Sequence, residues 1–220
     1  MKKALIILQY ILTIIMPLLL ILSGIHLALT PTFVRLQYSL PGFPPDPFGF
    51  SKSERLQWAE LSLDYLLGRL SHEQFAALRL PDGTPLYNQR ELVHMLDVQV
   101  LTLAALNVWR ALLIGAVLIS FLIWAARHPQ LFWEALRSGA RLTLLLIALV
   151  IIAVFLNFNA LFTAFHQVFF EGDSWLFRFD DTLIRLFPIF FWQMLFILVG
   201  AFTALASGLL LLLSRILHRS

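Results

Sequence analysis

The sequence predicts an all-α, polytopic membrane protein with four transmembrane helices, and three observations carry that prediction. The 220-residue chain is 60% hydrophobic and only 13% charged, where soluble domains carry roughly 25% charged residues. Its apolar residues fall in four blocks, near 4–29, 101–126, 141–162 and 186–213. Each block is long enough to cross a hydrocarbon core of about 30 Å, which takes ~20 helical residues. The basic and acidic residues segregate to opposite ends of those blocks. The chain, 1–220, reads as a single membrane domain with a mostly helical extracytoplasmic segment between the first two spans.

The first span opens with Lys2 and Lys3. A basic start before an apolar run fits a signal peptide, but this run is about twice the 7–15 residues of a typical signal core. Ala28-Leu29-Thr30-Pro31 is also a poor cleavage site, so the expectation is a retained helix. With the N-terminus inside, the inner segments hold Lys2, Lys3, Arg127, Arg137, Arg141, Arg215 and Arg219 against Glu134. These segments include a cytoplasmic loop at about 127–140. Every other acidic residue lies in the outer segments, about 30–100 and 163–185. Such a distribution of Lys and Arg puts both termini in the cytoplasm. The isoelectric point of 9.6 is then a membrane property, the basic excess facing anionic inner-leaflet lipid. No phosphate-binding motif or basic stripe is present, so nucleic acid is not an expected partner. The chain has no cysteine, which excludes disulfides, thiolate metal sites and a cysteine nucleophile.

In the long outer segment, residues 41–50 read PGFPPDPFGF. Four prolines and two glycines exclude regular helix, while three phenylalanines favour packing against the membrane surface or a neighbour. Ser51-Lys52-Ser53-Glu54 is a capping box that opens an amphipathic helix to about Leu70. Ser71-His72-Glu73-Gln74 is a second, opening a short helix that ends by Pro81, and Asp82-Gly83 makes a turn. Asn88 is a good N-cap with Glu91 three residues on. A helix from Gln89 through the second span is ~38 residues and ~57 Å long, well beyond what a bilayer core needs. Its first turns, LVHMLDV, therefore stand outside. Glu91, His94 and Asp97 share one polar face there, turned away from wherever Leu92, Met95 and Leu96 pack.

The third span ends in Asn157-Phe158-Asn159 and runs on to Thr163 and His166. If it stays helical, Asn159, Thr163 and His166 line one side and look into the bundle, since asparagine and histidine are costly against lipid. Trp175 and the surrounding phenylalanines suit an interfacial belt. Asp180-Asp181-Thr182-Leu183-Ile184-Arg185 leads to Pro188, tolerated in the first turn of the last helix. His94 and His166 thus both come to the outer interface.

LYNQRELVHMLDV (Leu86–Val98) and FHQVFF…WLF…DTLIRLFP (Phe165–Pro188) together resemble the lipoprotein intramolecular transacylase family of bacterial four-helix membrane proteins. The topology is similar over the whole chain, and the two outer motifs are the specific part. The resemblance implies that His94 and His166 are the catalytic residues. It implies a bacterial cytoplasmic membrane location with the active site at the outer face, and no metal or cofactor. The implied partners are membrane lipid and a diacylglyceryl-modified lipoprotein. The implied reaction moves the sn-2 acyl chain onto the α-amino group of the lipoprotein's own N-terminal cysteine, giving a lyso-form lipoprotein.

The residues suit that chemistry, because histidine titrates near neutrality and can both take and give a proton. One histidine is expected as base and the other as donor to the oxyanion or leaving oxygen. Asp97 or Glu91 is a candidate to orient His94, and Asn159 or Trp175 a candidate oxyanion donor. Arg185 is a candidate partner of Asp180, Asp181 or a lipid phosphate. Ser174 follows Asp173, but GDSW lacks the Gly-x-Ser-x-Gly elbow of a serine nucleophile. Two other classes compete. A metal-binding or transport protein would use His94, Asp97, Glu91, His166 and Asp173 as ligands, although no HxxH or HExxH spacing occurs. A non-catalytic assembly partner would tolerate loss of both histidines. His26, His72, His128 and His218 have no partner pattern.

Overall fold

Helix-end signals in the sequence set most of the architecture of the computed structural model, which describes residues 2–217. Arg219 and His218 lie outside the described residues. In order, the helices are α1 (Lys2–Ala28), α2 (Pro31–Ser39), α3 (Lys52–Leu66), α4 (His72–Ala76), α5 (Gln89–Ala125), α6 (Pro129–Phe169), α7 (Thr182–Leu186) and α8 (Ile189–Leu217). Four of them, α1, α5, α6 and α8, are long and apolar enough to cross a membrane. The chain divides into two compact units. One comprises Met1–His26, Leu106–Phe155 and Ile197–Ser220, the other Leu27–Ala105 and Leu156–Phe196.

The first unit is made of apolar helix. Leu12, Met16 and Leu19 of α1 are buried with Ala116 of α5 and Ala135 of α6. Small residues let backbones approach closely, as membrane helix packing favours. A Cβ placed on Gly139 would fall 2.7 Å from the Met16 Cβ, so α6 meets α1 where only hydrogen fits. Outward-facing leucines, valines and phenylalanines cover α5, α6 and α8, a surface suited to lipid. Trp109 donates Nε1–H to Ser23 Oγ at 3.0 Å and stacks on His26.

The second unit holds the irregular and capped segments. Both expected capping boxes form, at Ser51/Glu54 and Ser71/Gln74. The α3 helix ends at Leu66, short of Leu70, because the chain turns through Gly68 at φ +71°, a conformation glycine adopts without strain. An unforeseen helix, α2, is started by Thr30, whose side chain accepts from Phe33 N, with Pro31 in the first turn. Its Tyr38, 1% exposed, donates its hydroxyl to Leu186 O at 2.7 Å. Tyr65, Phe75, Leu86, Tyr87, Leu92, Met95, Leu183 and Leu186 form the main core.

The segment 41–50 is clasped by charge. Arg185 pairs with Asp46 at 2.9 Å, and its guanidinium lies 3.4 Å from the centre of the Phe50 ring. Asp46 also accepts from Phe50 N, and Arg55 donates to Pro44 O. Arg185 therefore takes neither Asp180 nor Asp181, its expected partners. Asp180 pairs with Arg178 instead, and Asp181 accepts from Arg178 N and Asn88 Nδ2. Asp46 is held below the usual carboxylate range. Burial opposes ionisation there, but hydrogen bonds from Arg185 and Phe50 and the charges of Arg185 and Arg55 outweigh it.

One expectation fails in α6. The helix is broken at Asn157, which has φ −162° and ψ 87°. Its side chain accepts from Ala160 N at 3.0 Å and so restarts the helix as an N-cap does. The break divides α6 into two helical stretches, and Asn159 and His166 both lie in the second. Asn159 is exposed while His166 is buried, so the two do not line one inward face.

Candidate functional site

His94 sits in the second turn of α5, before the expected span of 101–126, and His166 in the last turn of α6, beyond that of 141–162. Both belong to the second unit. Their rings face each other with centroids 5.9 Å apart and planes 20° from parallel. They are 7% and 8% exposed. The polar face expected along LVHMLDV is packed at Glu91 and His94. Glu91 and His94 are buried with Leu92 and Met95, while Leu96 is turned outward. Phe170 and Phe177 meet His94 edge to face at 4.9 and 5.2 Å. Trp175 covers His166 at 5.0 Å, and Phe162 lies 4.2 Å from it.

The two imidazoles differ in their hydrogen bonds. His166 Nδ1 lies 2.8 Å from Phe162 O. A carbonyl only accepts, so Nδ1 carries the proton, and in the neutral ring Nε2 keeps its lone pair. Among the described residues, His94 Nδ1 is buried without a hydrogen-bond partner. Burial, and then the neighbouring His166, lower the His94 pKa to about 4. Burial lowers that of His166 too, against the opposing hydrogen bond to Phe162. Both shifts favour the neutral imidazole.

Glu91, 1% exposed, does not reach His94. Its Oε2 accepts from Asn88 N at 2.8 Å and its Oε1 from Leu183 N at 2.7 Å. Burial raises its pKa to about 7 despite those two bonds, which favour the ionised form. Asp97 is half-buried and, among the described residues, makes no hydrogen bond to either histidine. Trp175 Nε1 donates to Gly172 O at 3.2 Å, so as it stands this tryptophan offers a ring face to His166 and no free donor. Asn159 is out on the exposed side of α6, and Arg185 is spent on Asp46. Among the described residues no three His, Asp or Glu side chains converge as a metal site would require. Residues not singled out from sequence are Phe162, Phe170 and Phe177. Aromatic rings are so frequent in this chain that only their placement distinguishes them.

An all-helical, multi-pass membrane protein with two buried, facing histidines is the class that this fold and site define. The family model described as "Lipoprotein intramolecular transacylase Lit" matches residues 10–192. A protein of Aquifex aeolicus (strain VF5), described as uncharacterised, is 33% identical over 217 residues, covering 95% of this chain and 93% of its own. The solved structure of the membrane integral lipoprotein intramolecular transacylase Lit from Bacillus cereus has a TM-score of 0.84 at 20% identity, covering 100% of this chain and 98% of that one. A histidine-to-alanine variant of the same protein gives 0.73 at 19% identity, over 99% and 95% of the two chains. This chain belongs to the lipoprotein intramolecular transacylase family, Lit, and is an enzyme of that class.

Proposed function

We propose that the protein moves the sn-2 acyl chain of a diacylglyceryl-modified lipoprotein onto the α-amino group of that lipoprotein's N-terminal cysteine, with His94 and His166 carrying the protons. The observation that supports this reading most is the facing pair of buried imidazoles in different hydrogen-bonding states. With Nδ1–H held by Phe162 O, His166 Nε2 is the base that takes a proton from the attacking amine. The amine nitrogen bonds to the ester carbonyl carbon, and negative charge develops on the carbonyl oxygen. His94 meets that oxygen from Nε2–H, because a proton on its apolar-packed Nδ1 side would be an unpaired buried donor. Collapse breaks the bond to the glyceryl oxygen, which takes the proton from His166. An ester and an amine become an amide and a free hydroxyl, with no water consumed and no second lipid. Because donor and acceptor are one molecule, proximity is supplied by the substrate itself. The aromatic surround excludes water that would hydrolyse the ester.

The site is proposed to lie at the outer face of the bacterial cytoplasmic membrane with both termini inside, a placement supported by the distribution of Lys and Arg around the four long helices. The test is expression in a bacterial host that lacks N-acylation of lipoproteins, followed by mass spectrometry of lipoprotein N-termini. The wild-type chain should yield N-acyl, monoacylglyceryl cysteine, and His94→Ala and His166→Ala should each reduce it by a factor on the order of 10² or more. Full product from either variant would refute the histidine mechanism.

A further inference from the structure

The segment between α6 and α7, residues 170–181, carries the rings that pack on both histidines, Phe170 and Phe177 on His94 and Trp175 on His166. It has no regular structure of its own to hold it there. What holds it is the first turn of α5. Arg90 donates Nη1–H to Leu176 O at 2.9 Å, in the middle of the loop. Asn88 donates Nδ2–H to Asp181 Oδ1 at 2.8 Å, where the loop ends. Glu91 Oε1 accepts from Leu183 N at 2.7 Å, at the start of α7. Just before the helix, Leu86 O accepts from Thr182 Oγ1 at 2.6 Å.

Two of these tethers are buried, Thr182 to Leu86 and Glu91 to Leu183, and Glu91 is the ionisable one. Its two oxygens do separate jobs, one closing the α5 cap on Asn88 N and the other capturing α7 through Leu183 N. Burying a carboxylate is costly unless it is hydrogen-bonded, and a cap alone would work equally well at the surface. The residue lies one turn before His94, so it ties the backbone that fixes His94 to the segment that roofs it, alongside the tethers from Leu86, Asn88 and Arg90.

We infer that Glu91 is a positioning residue that locks the aromatic loop 170–181 over the His94–His166 pair, acting through Leu183 and never touching the substrate. The inference rests on the transacylase reading for its effect on rate, but its geometry stands apart from that reading. Glu91→Gln keeps the volume and one accepting oxygen. Its amide nitrogen cannot accept, so either Asn88 N or Leu183 N faces a donor, and the side chain no longer holds the α5 cap and the α7 clasp together.

The experiment uses the full chain in lipid nanodiscs with a synthetic diacylglyceryl lipopeptide bearing a free N-terminal cysteine amine. Three quantities are read for wild type and Glu91→Gln: kcat and KM for N-acyl product, the rate of diethylpyrocarbonate modification at each histidine by mass spectrometry, and the unfolding midpoint. Expected are a fall in kcat on the order of tenfold, as misplacement of catalytic groups produces, a KM within a factor of two, and several-fold faster modification of His94 and His166. His128, remote in sequence and half-buried on the chain that joins α5 to α6, should react at its wild-type rate. Unchanged kcat, or unchanged labelling of His94 and His166, overturns the inference. A fall in the unfolding midpoint with faster labelling at His128 as well assigns Glu91 a purely structural role and also overturns it. A wild-type protein that makes no N-acyl product overturns the transacylase reading itself. The labelling contrast separates that result from failure of the clasp.

Discussion

His94 and His166 face each other across 5.9 Å, and neither ring has a carboxylate as hydrogen-bond partner. A carboxylate-oriented triad would raise the basicity of its imidazole and charge it near neutral pH. Here one ring is oriented by a backbone carbonyl and the other by aromatic edges, so apolar surroundings dominate and both stay neutral. This arrangement suits a reaction whose nucleophile is a neutral amine held beside its ester, and whose demand on the protein is proton transfer in a dry site.

The pH profile should carry that signature. The free substrate's α-amine titrates at about 7.7–8.0, so log(kcat/KM) should fall with unit slope as pH drops below that range. With His166 as the proposed base, a second slope from its protonation begins only as pH falls through its folded pKa. Because burial lowers that pKa from the ordinary 6.5, the steepening toward slope two should come below 6.5. The measurement is kcat/KM against pH in nanodiscs with the lipopeptide. Steepening at or above 6.5 would mean a solvated, unperturbed base and would sink the dry-site mechanism.

The Asp46–Arg185 pair makes a prediction about stability. The Asp46 side chain is fully buried and that of Arg185 is 12% exposed, so Asp46→Asn leaves a largely buried cation without its anion, a change worth about 3 kcal/mol. The sign of its pH dependence follows from the depressed folded pKa. The stabilisation is present above the unfolded carboxylate value of about 3.9 and is lost as pH falls through the folded one. Unfolding midpoints in detergent at pH 7 and at pH 3 should therefore differ more for wild type than for Asp46→Asn. Parallel acid losses in the two proteins would show that Asp46 is not the titrating group.

These residues also show what the sequence made legible and why. The four long helices could be read because hydropathy is a sum over many residues and survives local error. The capping boxes at Ser51 and Ser71 could be read because a cap is a contract between residues three apart. Asn88 and Glu91 form such a box, but the partner that gives Glu91 its second bond, Leu183, is 92 residues away, and nothing local marks it. The same holds for Asp46 and Arg185, whose pairing across 139 residues displaced the nearer acids Asp180 and Asp181. Helix length and charge topology brought the two histidines to the outer interface and the motif resemblance implied their role, whereas their surround of phenylalanines could not be picked out from so many. At Asn157, two asparagines in three residues compete as inward polar positions and as a helix restart, and periodicity alone does not arbitrate.

That restart can be tested directly. Asn157 caps Ala160 N, and the break it supports sets the direction in which His166 projects. Serine retains a capping oxygen and alanine does not, a difference of about 1 kcal/mol. Asn157→Ser should keep most of the N-acylation rate, while Asn157→Ala should lose several-fold, as the helix is freed to run straight and turn His166 from His94. The distance between spin labels at positions 93 and 167, each next to one of the two histidines, should lengthen in the alanine variant. Equal rates and equal distances in the two variants would remove the break from the description of the site.

A covalent acyl-enzyme is the remaining mechanistic alternative, and Ser174 is its candidate nucleophile. Among the described residues its Oγ is buried with no hydrogen-bond partner, whereas an activated serine needs a base within about 2.6–3.2 Å. Ser174→Ala should therefore retain wild-type turnover. A stronger test uses a lipopeptide whose cysteine amine is acetylated. In direct transfer the blocked amine stops all chemistry, and both enzyme and lipopeptide keep their masses. In a two-step route the ester is cleaved once before the amine is needed, so the enzyme gains the mass of one acyl group and the lipopeptide loses it. Unchanged intact masses after prolonged incubation are the expected result. An acylated protein would replace the two-histidine direct transfer with a ping-pong scheme, in which one of the histidines activates a side-chain nucleophile.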